Sequence, residues 1–388
     1  MSLCKKVTMD KFVLIPLVAA LSACTSSISI PESPSPAGVD ISLESVARMI
    51  SELPIGEEQL REVYDAARSS AGNGYDEEYM IRDIFEAPGC GVGSDLKSRA
   101  EAGKSYSRPL RDLITGYLQS RYGTKSGTAD VSAYVKALTE SGFQLYIPYS
   151  DNWDGRTFPI ITFDPGYGAE SNYGYEISLT EDGLHIVDSV YVDEKVAESR
   201  PVWVVNNNDD SAFTPLELYL KSKGTVSASN GKGRMLYLKS FRMLRNYDSW
   251  FGGASEFWVK CGAVNGFSAS TEAELKLYSP TVTDFMIVIK RKDKGCLIPL
   301  NAIMMTDFTS QMDKMAFLVT EDDGGTTTSW KCSATVKVES KSYGFDLDIP
   351  YHDKDDIVWR GSLSAEFFQR EDEVTGRFGD VEIGFALE

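Results

Sequence analysis

The hydrophobic period changes once, at Phe143, and that change limits what the chain can fold into. From Ile41 to Gly142 apolar residues recur three and four positions apart. Leu43, Val46, Ala47, Ile50 and Leu53 share one helical face, and Pro54 stops the run. Leu60, Val63, Tyr64 and Ala67 repeat the pattern behind Glu57-Glu58, acids well placed at a helix start. Asp76 is expected to cap a short helix through Phe85, Pro109 to open one through Leu118, and Asp130 to cap one that Gly142 ends. From Phe143 the period is two: Phe143, Leu145 and Ile147 alternate. Further strands are predicted at 158–163, 173–177, 184–187 and 201–206. Beyond a Gly/Ser/Lys-rich stretch at 222–233 they are predicted at 235–243, 257–261, 274–278, 285–289, 296–300, 315–320, 331–338, 343–349, 363–368 and 381–387. The expected fold class is α+β: a helical N-terminal region followed by antiparallel β-rich domains, the last a β-sandwich.

The region before Ile41 carries a different signal. Lys5, Lys6 and Lys11 precede the apolar run 12–21, which has the length of a signal-peptide core and is too short to span a bilayer. Leu21-Ser22-Ala23-Cys24 follows. This resembles the lipobox of bacterial lipoproteins, and the resemblance implies that residues 1–23 are removed and that Cys24 is lipidated. Thr25 and Ser26 follow Cys24, with no acid to retain the protein at an inner membrane. The expected location is therefore the outer membrane, lipid-anchored at its periplasmic face or at the cell surface. Ser, Pro and Gly dominate the next residues, the composition of an extended tether. The expected organisation is a leader at 1–23, a tether at 24–40, a helical region at 41–142, a β-rich region at 143–221 and a sandwich at 234–388.

The full chain has a net charge of −18, and the leader removes positive charge from it. Such a chain is a poor candidate for nucleic acid or for an anionic membrane surface. Its expected membrane contact is the lipid alone, and its expected partners are a glycan or an envelope protein. Cys90, Cys261, Cys296 and Cys332 are widely spaced, without the paired spacing of a zinc site. The last three leave open one disulfide or separate buried thiols.

Two acidic loops stand out in the last region. The first is Asn246-Tyr247-Asp248-Ser249-Trp250-Phe251-Gly252-Gly253, running into Ser255-Glu256-Phe257-Trp258-Val259-Lys260. The second is Ile349-Pro350-Tyr351-His352-Asp353-Lys354-Asp355-Asp356, followed by Trp359-Arg360-Gly361. Together they resemble the first and third calcium loops of C2 domains, with Glu256 where that family usually has Asp. The resemblance implies an eight-stranded sandwich with acidic loops at one end. Asp248, Glu256, Asp353, Asp355 and Asp356 are the candidate Ca²⁺ ligands, because Ca²⁺ takes six to eight oxygens from carboxylates, carbonyls and water. The alternative is that each Asp caps its own turn.

Enzyme signatures are scarce. There are two histidines, His185 and His352, and neither a zincin HExxH nor a GxSxG elbow occurs. Cys90 with His185 would form a nucleophile pair only if the fold joined them. Trp153, Tyr167 and Tyr173 lie in a Gly/Asn/Asp-rich segment, where exposed rings beside amides would suit a glycan. The sequence therefore points to a cell-envelope lipoprotein that binds or scaffolds, with glycan, protein or Ca²⁺ as ligand. The alternative is a hydrolase with an acidic, metal-assisted site.

Overall fold

Val202-Trp203-Val204-Val205 is an unbroken apolar run, the pattern of a strand covered on both faces, and it lies inside the first sheet. The computed structural model describes residues 41–85, 106–122, 128–179, 185–208, 213–216 and 234–388. Cys24 with the leader and tether, Cys90, and the stretch 222–233 lie outside them. The first part of the chain runs α1 (Leu43–Ser51), α2 (Glu57–Gly72), β1 (Glu78–Met80), α3 (Ile81–Phe85), α4 (Leu110–Tyr122) and α5 (Thr128–Glu140). It continues through β2 (Phe143–Tyr146), β3 (Ile160–Phe163), β4 (Ser171–Leu179), β5 (His185–Asp193), α6 (Glu194–Ser199) and β6 (Val202–Asn207). The six strands form one sheet in the order β1-β2-β6-β3-β4-β5. Only β3 and β6 pair in parallel; the other neighbours are antiparallel. Trp203 and Val205 face the helices, in one core with Ile50, Leu60, Leu113 and Leu145. Val202 and Val204 face the other way.

Two helix starts differ from expectation. Asp76 does not cap a helix; β1 intervenes before α3, and the Asp76 carboxylate is used elsewhere, as described below. The helix expected to begin after a cap at Asp130 already includes Thr128.

From Arg234 on, the strands are antiparallel. They are β7 (Arg234–Met243), β8 (Ser255–Ala263), β9 (Thr281–Ile289), β10 (Ile298–Phe308), β11 (Met312–Glu321), β12 (Thr327–Val338) and β13 (Lys341–His352). They end with β14 (Asp356–Ser364), the short α7 (Ala365–Phe368), β15 (Glu373–Phe378) and β16 (Val381–Leu387). One sheet is β10-β7-β16-β15; the other is β13-β12-β11-β8-β9, with β14 also pairing with β11. Alternate residues of both sheets fill the space between them. Phe241 meets Phe257 at a ring separation of 5.0 Å, and Phe317 meets Phe385 at 5.5 Å. The sandwich thus has four and six strands, where the C2 resemblance implies eight in all. The strand expected at 274–278 is instead a 3₁₀ helix, Glu272–Leu277, and the one expected at 363–368 is the end of β14 followed by α7. Cys261, Cys296 and Cys332 are free thiols. Among the described residues no helix is long and apolar enough to cross a membrane.

The two parts meet at the loop 244–254, between β7 and β8, and all described residues belong to one compact unit. Trp250 and Phe251 leave the sandwich and enter the core formed by Tyr146, Ile160, Val202 and Val204. The Trp250 indole donates to the Glu170 carbonyl at 3.0 Å. Asn206, buried at the end of β6, donates through Nδ2 to the carbonyls of Phe251 and Gly252 at 3.0 and 2.9 Å. Asp76 accepts from the amides of Glu77 and Ala254, at 2.7 and 2.9 Å. Gly253 makes room for it: at φ 117° an added Cβ would lie 2.7 Å from the Asp76 carboxylate. Around this plug, Arg291 forms a two-pronged ion pair with Glu194 at 2.8 and 3.2 Å. Glu77, almost fully buried, lies 3.5 Å from both Lys290 and Lys292.

Removing the Trp250 ring should leave a cavity in the core shared by both parts. Trp250→Ala is expected to lower stability by about 3–5 kcal/mol in urea unfolding, with one transition and an unchanged slope. A loss below about 1 kcal/mol would mean that the parts are held together elsewhere.

Candidate metal centre

The register brings five strand ends to one end of the sandwich. Glu321, the last residue of β11, pairs with Phe257 near the start of β8 and with Asp356 at the start of β14. Thr327, opening β12, pairs with His352, closing β13. The exit of β7 joins them: Arg245 lies 3.4 Å from Asp380 and 3.8 Å from Asp356. Every acidic loop of the sandwich that the sequence singles out is therefore at this end.

Two clusters form there. In the first, carboxylate oxygens of Asp248, Glu256 and Glu321 all lie within 4.8 Å of one another. Glu321 follows the side-chain alternation of Phe317 and Val319, which places its carboxylate at the mouth of the sandwich core. Glu256 and Glu321 are 6 % and 1 % exposed. The Asp248 Oδ2 is buried without a hydrogen-bond partner. Burial pushes the Asp248 carboxyl pKa up, against the opposing pull of the Glu321 side chain and the Arg291 charge. Arg291 is itself engaged by Glu194 and by the Asp248 carbonyl oxygen, which accepts from it at 2.8 Å.

In the second cluster, Asp322, His352 and Asp355 come within the same 4.8 Å. Asp322 is heavily used. Its Oδ1 meets His352 Nδ1 at 3.0 Å and accepts from the Gly324 amide at 3.0 Å, while its Oδ2 accepts from the Trp258 indole at 3.1 Å. Asp355 Oδ2 accepts from the His352 amide at 3.0 Å. Burial raises the Asp355 carboxyl pKa. Asp323, exposed in the loop after β11, feels the charges of both clusters. Partial withdrawal from water, and then the charges of Asp248, Asp356, Asp355 and Asp322, push it up to about 6.

This arrangement suits a hard cation. Oxygens bound to one Ca²⁺ at about 2.4 Å are at most about 4.8 Å apart, and the three carboxylates of the first cluster lie within that limit. The second, a nitrogen with two carboxylates, has the donor set of a transition metal, but Asp322 already spends both oxygens on protein donors.

The candidate residues divide accordingly. Asp248 and Glu256 come together, and Asp355 sits in the neighbouring cluster. Asp353 is in neither: its Oδ1 and Oδ2 accept from the amide and hydroxyl of Thr326, both at 2.8 Å, so it locks a turn. Asp356 is exposed and faces Arg245. Glu321, Asp322, Asp323 and His352 were not among the expected ligands; in the sequence, Glu321-Asp322-Asp323-Gly324-Gly325 reads as a turn.

The aromatic candidates separate too. Trp153 is not available to a ligand, because it is core: its ring packs edge-on against Tyr64 and Trp203, and its indole donates to the Thr157 carbonyl at 2.8 Å. Tyr173 is partly exposed, with its hydroxyl on Glu44 at 2.5 Å. Tyr167 is 96 % exposed. It lines a groove of about 340 Å³ that the loop carrying Asp248 also lines. Cys90 lies outside the described residues, as does the side chain of His185. Comparison with known proteins found no matching family model and no matching curated protein.

Asp248, Asp323 and Asp355 favour the fold when protonated, because their carboxyl pKa values are raised in it. Their contribution is complete below the ordinary carboxylate range, near about 4, and is lost as pH rises through the folded value, about 6 for Asp323. In chelator, lowering pH from about 7 to about 5 should therefore raise the melting temperature. Asp323→Asn should shrink that rise. A melting temperature that falls steadily over this interval would contradict the assignment.

Proposed function

We propose that the protein is a divalent-cation-binding module of the cell envelope, with Ca²⁺ as the ion and the Asp248, Glu256 and Glu321 cluster as its site. One observation carries this reading: the carboxylates of Asp248, Glu256 and Glu321 converge within reach of one ion, with Glu256 and Glu321 almost wholly out of water. A buried charge left in that state is costly, and a cation relieves both the desolvation and the repulsion. Ligands come from the β7–β8 loop, the start of β8 and the end of β11, so the ion would tie three segments together. The Leu21-Ser22-Ala23-Cys24 motif supports attachment through a lipid at Cys24, and the residues after it favour the outer membrane.

Ca²⁺ at a hundred times its dissociation constant should stabilise the fold by about 2.7 kcal/mol. The gain should vanish in Asp248→Asn with Glu321→Gln. Asp353→Asn should keep the gain, because Asp353 holds the Thr326 turn and not the cluster. Equal melts with Ca²⁺ and with chelator in the wild type would sink the cation assignment.

The anchor is tested separately by fractionating cells that carry Cys24→Ala. Release from the membrane fraction is expected; unchanged partitioning into detergent would refute the lipid.

A further inference from the structure

A groove beside the acidic cluster is lined by Asp164, Asn206, Asn207, Asp248 and Ser249, with the exposed Tyr167 among them. Its floor carries Asn206, which is 1 % exposed. Both hydrogens of that amide have carbonyl partners, Phe251 and Gly252, and this fixes which way the amide points. Its Oδ1 is buried and has no partner. A buried acceptor in that state costs free energy unless something donates to it. Asp164, Asn207, Asp248 and Ser249 surround it, and Tyr167 closes the rim. The Tyr167 backbone is left-handed at φ 57°, a conformation that disfavours a side chain with a Cβ, yet a large ring stands there in solvent. At about 340 Å³ the groove falls in the size range of small-molecule clefts.

From this geometry we infer that the groove binds a saccharide. Sugar hydroxyls donate to Asn206 Oδ1 and to the Asp164 and Asp248 carboxylates. The same hydroxyls accept from the Asn207 amide and the Ser249 hydroxyl. One apolar sugar face lies on the Tyr167 ring. An organic ammonium ion would satisfy the carboxylates and could donate to the Asn207 and Ser249 oxygens, but it leaves the Asn207 NH₂ without an acceptor. That asymmetry favours a neutral polyhydroxyl ligand. The inference stands without the cation, although Asp248 belongs to both sites, so binding is measured with Ca²⁺ and with chelator.

The test uses the full-length protein in a sugar-free zwitterionic detergent. Mannotriose, maltotriose, xylotriose, cellotriose and chitotriose are each titrated in by calorimetry. At least one should bind in one of the two conditions. Tyr167→Gly, which suits the left-handed backbone, should weaken that binding at least tenfold while leaving the melting temperature unchanged. Asn207→Ala, on an exposed residue, should weaken it severalfold. n-Butylammonium chloride should not displace the sugar. The inference fails if none of the five oligosaccharides binds in either condition, if Tyr167→Gly binds as the wild type does, or if butylammonium competes. Sugar binding that persists in chelator leaves the groove assignment intact and bears only on its coupling to Ca²⁺.

Discussion

Trp250 and Phe251 are the pair on which the rest of the structure depends. They belong to the loop that leaves the sandwich, yet they are buried against the sheet of the preceding part. Two aromatic side chains buried this way contribute several kcal/mol, enough to hold a loop that would otherwise be mobile. The consequence is positional. Asp248 and Ser249 immediately precede the plug and Gly252, Gly253 and Ala254 follow it, so their places are set by where the rings go. Asn206 and Asp76 then bind the backbone of the same loop from the other side. The groove and the acidic cluster are both products of that insertion: one wall of the groove and one ligand of the cluster lie on the held loop.

The cost of this arrangement is concentrated in buried acids. Asp76 is fully buried, and burial followed by the charge of Glu77 raises its carboxyl pKa to about 6. Two backbone amides and the charge of Lys290 pull the other way. Asp76 is thus satisfied by protein groups. Asp248 differs, because one of its oxygens is left over. A site that keeps an unpaired buried oxygen beside two carboxylates is not at its lowest free energy with protein alone. Lys260 illustrates the opposite solution within the same end of the sandwich. Burial lowers its pKa, but its ammonium donates to the Pro350 carbonyl at 2.6 Å and lies over the Trp258 ring.

Much of the architecture is legible in the sequence because it rests on local period. The switch at Phe143 separates helices from strands, and β7, β8, β11, β13 and β16 each announce themselves by alternation or apolar runs. Misreadings occur where a local device overrides that period. Thr271 and Glu274 form a capping box, with the Glu274 carboxylate accepting from the amides of Ser270 and Thr271 at 2.6 and 3.4 Å; this turns 274–278 away from a strand. At 363–368 Leu363, Ala365 and Phe367 alternate with Ser364 and Glu366 like a strand, but β14 gives way to α7 at Ala365. The site is harder to read than the fold. Asp248, Glu256 and Asp355 are recognisable as acids near strand ends, but Asp353 looks equally good and is a turn lock. Glu321 sits where a strand ends, and only the register of β11 against β8 and β14 brings it to Asp248. The groove joins residues 164–168 and 206–207 with 247–252, which no spacing along the chain could announce.

The central claim is that the crowded Asp248, Glu256 and Glu321 carboxylates hold a cation, and that the cation competes with protons because burial raises the Asp248 carboxyl pKa. Ca²⁺ must then displace protons. The direct measurement is calorimetric titration of Ca²⁺ at about pH 6, repeated in two buffers of different ionisation enthalpy, which counts protons released per ion. Proton release that is greatest in acid and falls as the titration is repeated at rising pH is the expected result, because burial raises the Asp248 carboxyl pKa. Proton release that does not fall as pH rises, or no binding heat at any pH, would contradict the claim.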